Sequence, residues 1–392
     1  MTIVDQEKCC GCRACLQICP QKAISTYFDK FGFERISIDD ILCIKCNKCK
    51  SVCPILNVKK TSEKITCGSA YCKNINIKRS GSSGGLFGLM AMKIIENGGV
   101  VYGAAFDSKL HLYTTRAENL TQLEPLLKSK YLLCDTSGSF KKIQSDLENG
   151  KQVLYCSSPC QIAALKNYFK TEYANLLCIE FVCHGVGSQK QFYDSITYIE
   201  KKSNIKILKF SFREKFKKAS SHYYYYYYRD LLTGKEKGRR DIYMTFPYYY
   251  AYQERLTCRE SCYECLYATE NRVADITIGD FHEINRYEPN IDRFAGVSMF
   301  VCNSKTGQCF FDTLRTNLIV KEYDWGIIKS NNRFSGKEIM SSRREDYLTM
   351  IATESCDKAY SSFLNYKKDW RYYYYHLPKV IRNIGNRLLR RE

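Results

Sequence analysis

No uninterrupted apolar run in this 392-residue chain approaches the roughly 18 residues that a membrane-spanning helix needs, so the sequence predicts no integral membrane protein. The segment Met1 to Lys8 lacks the basic and apolar stretches of a secretory leader, which argues against disulfide pairing in an oxidising compartment. Neither a Walker loop nor a G-x-G-x-x-G fingerprint is present, so no standard nucleotide motif can be claimed. Acidic residues are in deficit too: 41 Asp and Glu against 60 Lys and Arg leave a formal net charge of +19. That imbalance suggests an anionic partner, whether nucleic acid, phosphate-bearing cofactor, acidic protein or anionic lipid. It counts each thiol as neutral, and thiolates around an iron-sulfur cluster would lower it. The length suits two or three domains with a sizeable core.

What the chain has in excess is cysteine, 22 in all, read here as cytosolic, reduced and partly committed to metal. The runs "CCGCRACLQICP" and "CIKCNKCKSVCP" each spell C-x2-C-x2-C-x3-C-P. They give Cys9, Cys12, Cys15, Cys19 and then Cys43, Cys46, Cys49, Cys53, each run closed by a proline. This is similar to the bacterial ferredoxin run, in which three cysteines hold one cubane and the fourth ligates the other cluster. Two-residue gaps let a tight loop wrap three corners of a cubane, while the fourth thiol leaves with the proline. The resemblance implies two 4Fe-4S clusters, one on Cys9, Cys12, Cys15 and Cys53, the other on Cys43, Cys46, Cys49 and Cys19. Cys10 is left over as a non-ligand. Zinc on two four-cysteine sites is the bland alternative.

Further along, "SGSSGGLFGLMAMKIIENGGVVYGAAF" reads as a Ser/Gly loop, a helix through Leu86, Leu89, Met90 and Ile94, and a strand from Val100 to Phe106. A loop opening onto a helix N-terminus can hold phosphate, or be an ordinary turn. "QVLYCSSPCQIAALKNYF" reads as a strand, Val153 to Cys156, then a helix from Gln161 with Cys160 at its N-terminus. "NLLCIEFVCHGVGSQ" reads as a strand, Leu176 to Val182, then Cys183, His184 and a helix from about Ser188. Both cysteines fall beyond the carboxyl ends of strands, where open α/β sheets gather ligand-binding groups. A thiol at a helix N-terminus is expected to have a lowered pKa, suiting a metal ligand or nucleophile. Burial as a small hydrophobe is the other reading, and it is assigned to Cys178, Cys302 and Cys309. "CRESCYEC" places Cys258, Cys262 and Cys265 together. Its C-x3-C-x2-C spacing leaves a zinc knuckle, an iron-sulfur cradle and a radical-enzyme loop open.

Taken in order, "SGSSGG", "SKYLLCDT", "SPCQIAAL", "FVCHGVGS", "CRESCYECLYA" and "RVADITIGDF" resemble the beta-subunit family of coenzyme F420 (5-deazaflavin) hydrogenases and dehydrogenases. The likeness spans roughly residues 1 to 330 and is to bacterial members with a fused ferredoxin, some linked to polysaccharide assembly. It implies FAD, with Ser82, Ser83, Gly84 and Gly85 at its pyrophosphate and Ser129, Lys130 and Tyr131 in further contact. It also implies a third 4Fe-4S cluster on Cys160, Cys183, Cys262 and Cys265, with Cys258 as a competing ligand. Asp275, Thr277, Gly279 and Asp280 are expected to line that centre, and His184 and Asp280 become candidates for proton transfer. The sequence departs from the family at Ser157 (usually Gly), Gly187 (usually Pro) and His282 (usually Trp).

The tyrosine-rich "HYYYYYYRD" and "FPYYYAYQ" fit a half-buried sheet face better than a single-strand nucleic-acid platform, so no nucleic acid is expected. After Pro378, Val380, Ile381, Ile384 and Leu388 share one helical face and Arg382, Arg387, Arg390 and Arg391 the rest. That pattern is read as an anionic-membrane contact, a partner-docking helix or a frayed end.

The whole predicts an α/β (α+β) flavin-binding catalytic domain preceded by a small dicluster ferredoxin-like domain: ferredoxin at 1–58, linker at 59–66, oxidoreductase domain at 67–350 and a basic tail at 351–392. The expected protein is a cytoplasmic flavin- and iron-sulfur-dependent oxidoreductase, with the inner membrane face as a second address. Its partners would be a ferredoxin or other low-potential donor and a two-electron carrier, either F420-like or a polysaccharide precursor. The alternative is a non-catalytic electron-transfer subunit.

Overall fold

The computed structural model describes residues 2–59, 63–169, 171–216, 219–291, 296–330, 336–354, 356–364, 370–377 and 381. The N-terminal segment holds an antiparallel hairpin of β1 (Ile24–Phe28) and β2 (Glu34–Ile38), with Ile24 opposite Ile38, and two short helices, Ala14–Ile18 and Lys48–Ser51. Each helix begins in the middle of a cysteine run.

An eight-stranded mixed sheet forms the body. In chain order its first strands are β3 (Thr66–Cys72), β4 (Val100–Phe106), β5 (Leu112–Ala117), β6 (Val153–Ser157) and β7 (Leu176–Phe181). The chain then leaves it for a three-stranded antiparallel sheet of β8 (Ile205–Phe216), β9 (Ala219–Asp230) and β10 (Glu236–Ile242). It returns as β11 (Ile276–Asp280), β12 (Ser298–Cys302) and β13 (Leu318–Glu322), giving the order β13-β3-β12-β11-β7-β6-β4-β5. The inner strands β4, β6, β7 and β11 run parallel, and the outer pairs are antiparallel. Parallel strands need crossovers, and these bring the Pro159–Tyr168 helix and the loop after β7 to one end of the sheet. Pro159 starts its helix because its fixed φ and missing N–H suit a first turn.

Of the two tyrosine segments, the first is the expected sheet face: on β9, Tyr224 and Tyr226 are buried and Tyr225 and Tyr227 turn outward. The second departs from expectation. Pro247 opens a helix, Pro247–Gln253, that buries Tyr248, Tyr249, Tyr250 and Tyr252 in one aromatic core. Cys178 and Cys302 are buried as expected, whereas Cys309 is exposed on the outer face of the helix Lys305–Asp312. Part of the segment read as tail packs inward: Ala359, Tyr360 and Leu364 join the aromatic core, and Tyr360 donates to the Gln191 carbonyl. Val380, Ile384, Leu388, Arg382, Arg387, Arg390 and Arg391 lie outside the described residues. No helix among the described residues is long and apolar enough to cross a membrane.

The N-terminal segment shares a core with the body. Cys10, Cys12, Ala14 and Val52 pack with Tyr155, Ile162, Ala163 and Val273. Arg259, only 1 % exposed, donates to the carbonyls of Cys9 and Glu34. Arg13 pairs with Glu34 and Asp135 across the same seam. Replacing Arg259 by Met strips buried carbonyls of their donor. The expected loss of local stability is on the order of 3 kcal/mol. It should appear as faster amide exchange around Cys9 and Glu34, with β4, β6 and β7 unchanged; equal protection in both proteins would show the clamp to be unimportant.

Candidate functional site

Two cavities in the N-terminal segment are each ringed by four of the repeat cysteines. Cys19, Cys43, Cys46 and Cys49 line one. Cys9, Cys12, Cys15 and Cys53 line the other, with Cys10 beside them. Each ring therefore takes its fourth thiol from the opposite run. The backbone shows how: the residues flanking the second cysteine of each run are left-handed, Gly11 and Arg13 at φ 70° and 55°, Lys45 and Asn47 at 54° and 58°. For residues with a Cβ this costs on the order of 1 kcal/mol each. Both loops are thus curled against local preference, turning thiols toward an enclosed space. The thiols stand around that space rather than on a point; among the described residues no group of three or more His, Cys, Asp or Glu could hold a single metal ion.

A third gathering lies beyond the carboxyl ends of β6 and β7. Cys160 is the second residue of the helix Pro159–Tyr168, Cys183 follows β7, and Cys262 and Cys265 come from the short helix Glu260–Tyr263 and the turn after it. Cys183 is within electrostatic reach of Cys160, Cys265 and Cys258, and Cys262 of Cys258, Cys183 and Cys265. Cys258 is fully buried in the aromatic core, whereas the other four thiols are half-buried. Gly185, at φ +91°, lets the turn after Cys183 pass this loop, because a Cβ there would stand 3.2 Å from both Cys258 Sγ and Cys262 Cβ. Cys10 lies beside both Cys12 and Cys160 in one packed cluster, which joins this group to a dicluster cavity.

Cys160 and Cys183 also line a cleft of about 700 Å³, within the usual range for a cofactor site. Ser82, Ser83, Gly85, Ser129, Lys130, Tyr131, His184, Gly279 and Asp280 line it as well. The loop is braced from behind: Ser129 donates from its amide and hydroxyl to Ser82 Oγ (2.7 and 2.9 Å), and Ser83 Oγ donates to the Val297 carbonyl. Gly85, at φ +87°, caps the helix Leu86–Glu96. Gly84 does not line the cleft. Its amide donates to Ser298 Oγ, and a Cβ on it would sit 2.5 Å from the Ala70 carbonyl oxygen, so glycine here serves close packing against β3 and β12. Lys130 turns its ammonium onto the carbonyls of Pro125 and Leu127. Tyr131 stacks on Tyr249 and Tyr252, with centroids 5.5 and 4.8 Å apart, forming an aromatic wall. Asp275 and Thr277 are structural instead: Asp275 binds the Cys178 amide and Ser304, and Thr277 binds Glu180 and Asn303. Of the three departures, Ser157 bonds Gln161, Gly187 passes against Tyr248, and His282 lines the cleft 4.0 Å from Asp280.

Residues 8–57 match the 4Fe-4S dicluster domain, and residues 150–324 match the C-terminal region of the coenzyme F420 hydrogenase/dehydrogenase beta subunit. Residues 150–324 thus carry the C-terminal region of that beta subunit, joined here to an N-terminal dicluster domain. An uncharacterized ferredoxin-like protein of Haemophilus influenzae is 39% identical over 66 residues, 15% of this chain and 71% of that protein. A chain of the F420-reducing NiFe hydrogenase complex from Methanosarcina barkeri superposes with a TM-score of 0.45 at 16% identity, covering 77% of this chain and 91% of that one. The relation to hydrogenase and dehydrogenase subunits, with the dicluster domain, makes this an iron-sulfur electron-transfer protein.

Two groups of the cleft, and a buried carboxylate next to its His184, were not legible in the motifs. Arg213 and Lys215 stand on β8, and Glu338 comes from a late loop. Burial would raise the Asp280 carboxyl, but the Arg213 guanidinium at 2.8 Å outweighs it and holds it at about 2. Asp280 therefore stands as the carboxylate of a half-buried ion pair with Arg213. His184 Nδ1 sits 3.0 Å from Glu338 Oε1, and Glu338 also takes Arg255 Nε at 2.5 Å, so the imidazole is oriented by a buried carboxylate. The lowered pKa expected of Cys160 at its helix N-terminus is not found: the neighbouring Cys10 thiol and burial push it up. Burial likewise raises Cys183, and pushes Cys15 up to about 12.

Burial, with Arg213 and Lys78 nearby, lowers Lys215 to about 7, and its ammonium donates to the carbonyls of Lys78 and Ser83. Unfolded, this lysine keeps its proton to about pH 10.4. Between those values the unfolded chain binds the extra proton, so the burial cost of Lys215 is largest below pH 7 and fades as pH rises. The stability gap between a Lys215→Met variant and the parent, each free of ligand, is expected to shift in the parent's favour from pH 7 toward 10. A gap independent of pH in melting experiments would contradict the depressed value.

Proposed function

We propose that the chain is an iron-sulfur flavoprotein oxidoreductase that passes electrons between a dicluster module and an FAD seated in the 700 Å³ cleft. In this reading Cys9, Cys12, Cys15 and Cys53 hold one cluster, Cys43, Cys46, Cys49 and Cys19 the second, and Cys160, Cys183, Cys262 and Cys265 a third. Cys258 is left out because, unlike those four half-buried thiols, it is fully buried in the aromatic core. The all-thiol rings with crossed fourth members fit cubanes. The cleft fits FAD: a loop at a helix N-terminus with Lys215 beside it suits the pyrophosphate, and the Tyr131, Tyr249 and Tyr252 wall suits a flat ring. FAD, when bound, supplies the exchange between two-electron and one-electron chemistry.

The observation that carries this reading is the thiol line. Cys10 packs beside Cys12 at one cavity and beside Cys160 at the third group, and Cys160 lines the cleft. Donor and acceptor sites thus abut inside one chain. Around the cleft, Arg213 and Asp280 neutralise each other, Lys215 biases the loop toward phosphate, and His184, set by Glu338, is placed to exchange a proton with a substrate. The basic lining suits a phosphate-bearing two-electron partner, whether an F420-like carrier or an activated sugar precursor. The second reading, an electron-transfer subunit, is favoured by the family's own description as a beta subunit.

With all three sites loaded the protein holds about twelve iron. The pair Cys262→Ala and Cys265→Ala together should remove about four of them, retain flavin, and slow flavin reduction from the dicluster side in stopped-flow. Cys258→Ala should keep the full iron complement. Loss of iron from Cys258→Ala, with none from the double variant, would refute the proposed quartet.

A further inference from the structure

The two dicluster cavities face opposite environments. The one ringed by Cys9, Cys12, Cys15 and Cys53 is walled by the shared core. The one ringed by Cys19, Cys43, Cys46 and Cys49 is walled largely by half-buried and exposed residues, with Cys46 itself exposed. Around it stand aliphatic side chains that the fold leaves uncovered: Ile41 is 96 % exposed, Ile44 61 % and Leu42 50 %. Leu56 and Val58 add to the same outer segment. A local cluster of exposed aliphatics marks an interaction surface, because covering each one stabilises an association by roughly 1 to 2 kcal/mol.

The charge around this patch is mainly positive. From residue 41 to 58 the chain has Lys45, Lys48 and Lys50, all exposed, and no Asp or Glu. Lys22, just after the Cys19 and Pro20 pair, is exposed too. Of the acidic neighbours, Asp39 turns its carboxylate onto the amides of Ile41 and Leu42, and Asp40 precedes the patch. An apolar centre inside a lysine rim, directly over a one-electron site, is complementary to a small acidic protein that presents its own redox group at an apolar spot.

Resting on the cluster assignment above, we propose that this outer face is the docking site of an acidic one-electron carrier protein. Cys19, Cys43, Cys46 and Cys49 would hold the cluster that accepts one electron from the carrier's reduced centre in each encounter. The carrier is oxidised by one electron and the cluster reduced by one, with no bond made or broken and no proton moved. Ile41, Leu42 and Ile44 exclude water at the contact, and Lys45, Lys48 and Lys50 steer the approach.

The test uses the anaerobically prepared full chain with its clusters oxidised and a pre-reduced acidic plant-type ferredoxin as probe, mixed in stopped-flow. The second-order rate is expected to fall about tenfold or more between about 0.05 and 0.5 M salt, since screening removes steering. Lys45→Glu with Lys48→Glu should lower the low-salt rate by about tenfold, and Ile41→Asp, outside the cysteine loop, should lower it several-fold. Reduction by dithionite, which needs no docking face, reports cluster integrity in every variant. A rate indifferent to salt and to Ile41→Asp, with dithionite still reducing the clusters, would overturn the docking site and leave the cluster assignment standing. A chain that holds no iron would overturn both.

Discussion

A guanidinium buried among main-chain carbonyls holds this molecule in its working arrangement. Arg259 reaches from the "CRESC" loop to the carbonyls of Cys9 and Glu34, so the loop carrying Cys262 and Cys265 is tied to the first dicluster run. A charge so deeply placed is tolerated only when its donors are satisfied, and here they find fixed acceptors across the seam. The contact between Cys10 and Cys160 follows from that clamp. So does the shared core in which Ala14 and Val52 pack against Ile162 and Ala163. A tethered module would have to find its acceptor by diffusion; this one is built into the wall of it.

Burial governs the chemistry of the interior. The thiols of Cys15, Cys160 and Cys183 are pushed up, so without metal they stay protonated, and loading iron must release protons. In the cleft the same desolvation lowers Lys215 to about 7, where an arriving phosphate would restore its charge, while the Arg213 ion pair keeps Asp280 ionised. Basic groups thus face the cleft in a poised state. At the outer face the lysines are fully hydrated, and act on partners at longer range.

Much of this was legible in the chain because short-range chemistry left a pattern. The doubled cysteine runs encode the crossed rings, since the left-handed residues around Cys12 and Cys46 sit at equal positions in both. The junctions at Cys160 and Cys183 were readable from strand and helix periodicities. What escaped was assembled by tertiary contact. Lys215 and Arg213 sit in an unremarkable strand, and only the pairing of sheets brings them to the Ser/Gly loop. Glu338 reaches His184 across 154 positions. Tyr248 to Tyr252 went into a helix because Pro247 supplied a helix start that outweighed the β-preference of tyrosine, and Cys309 faces solvent because its amphipathic helix turns that side outward. Asp275 was placed near the right strand, but its carboxylate is held by the Cys178 amide and Ser304.

The account stands on metal and flavin occupying one continuous interior. The most direct measurement is an anaerobic assay of iron, acid-labile sulfide, zinc and released flavin on a single purified sample of the full chain. About twelve iron with matching sulfide and one FAD per chain is the expected result. Zinc in place of iron, or iron with no flavin retained by protein never exposed to oxygen, would contradict it.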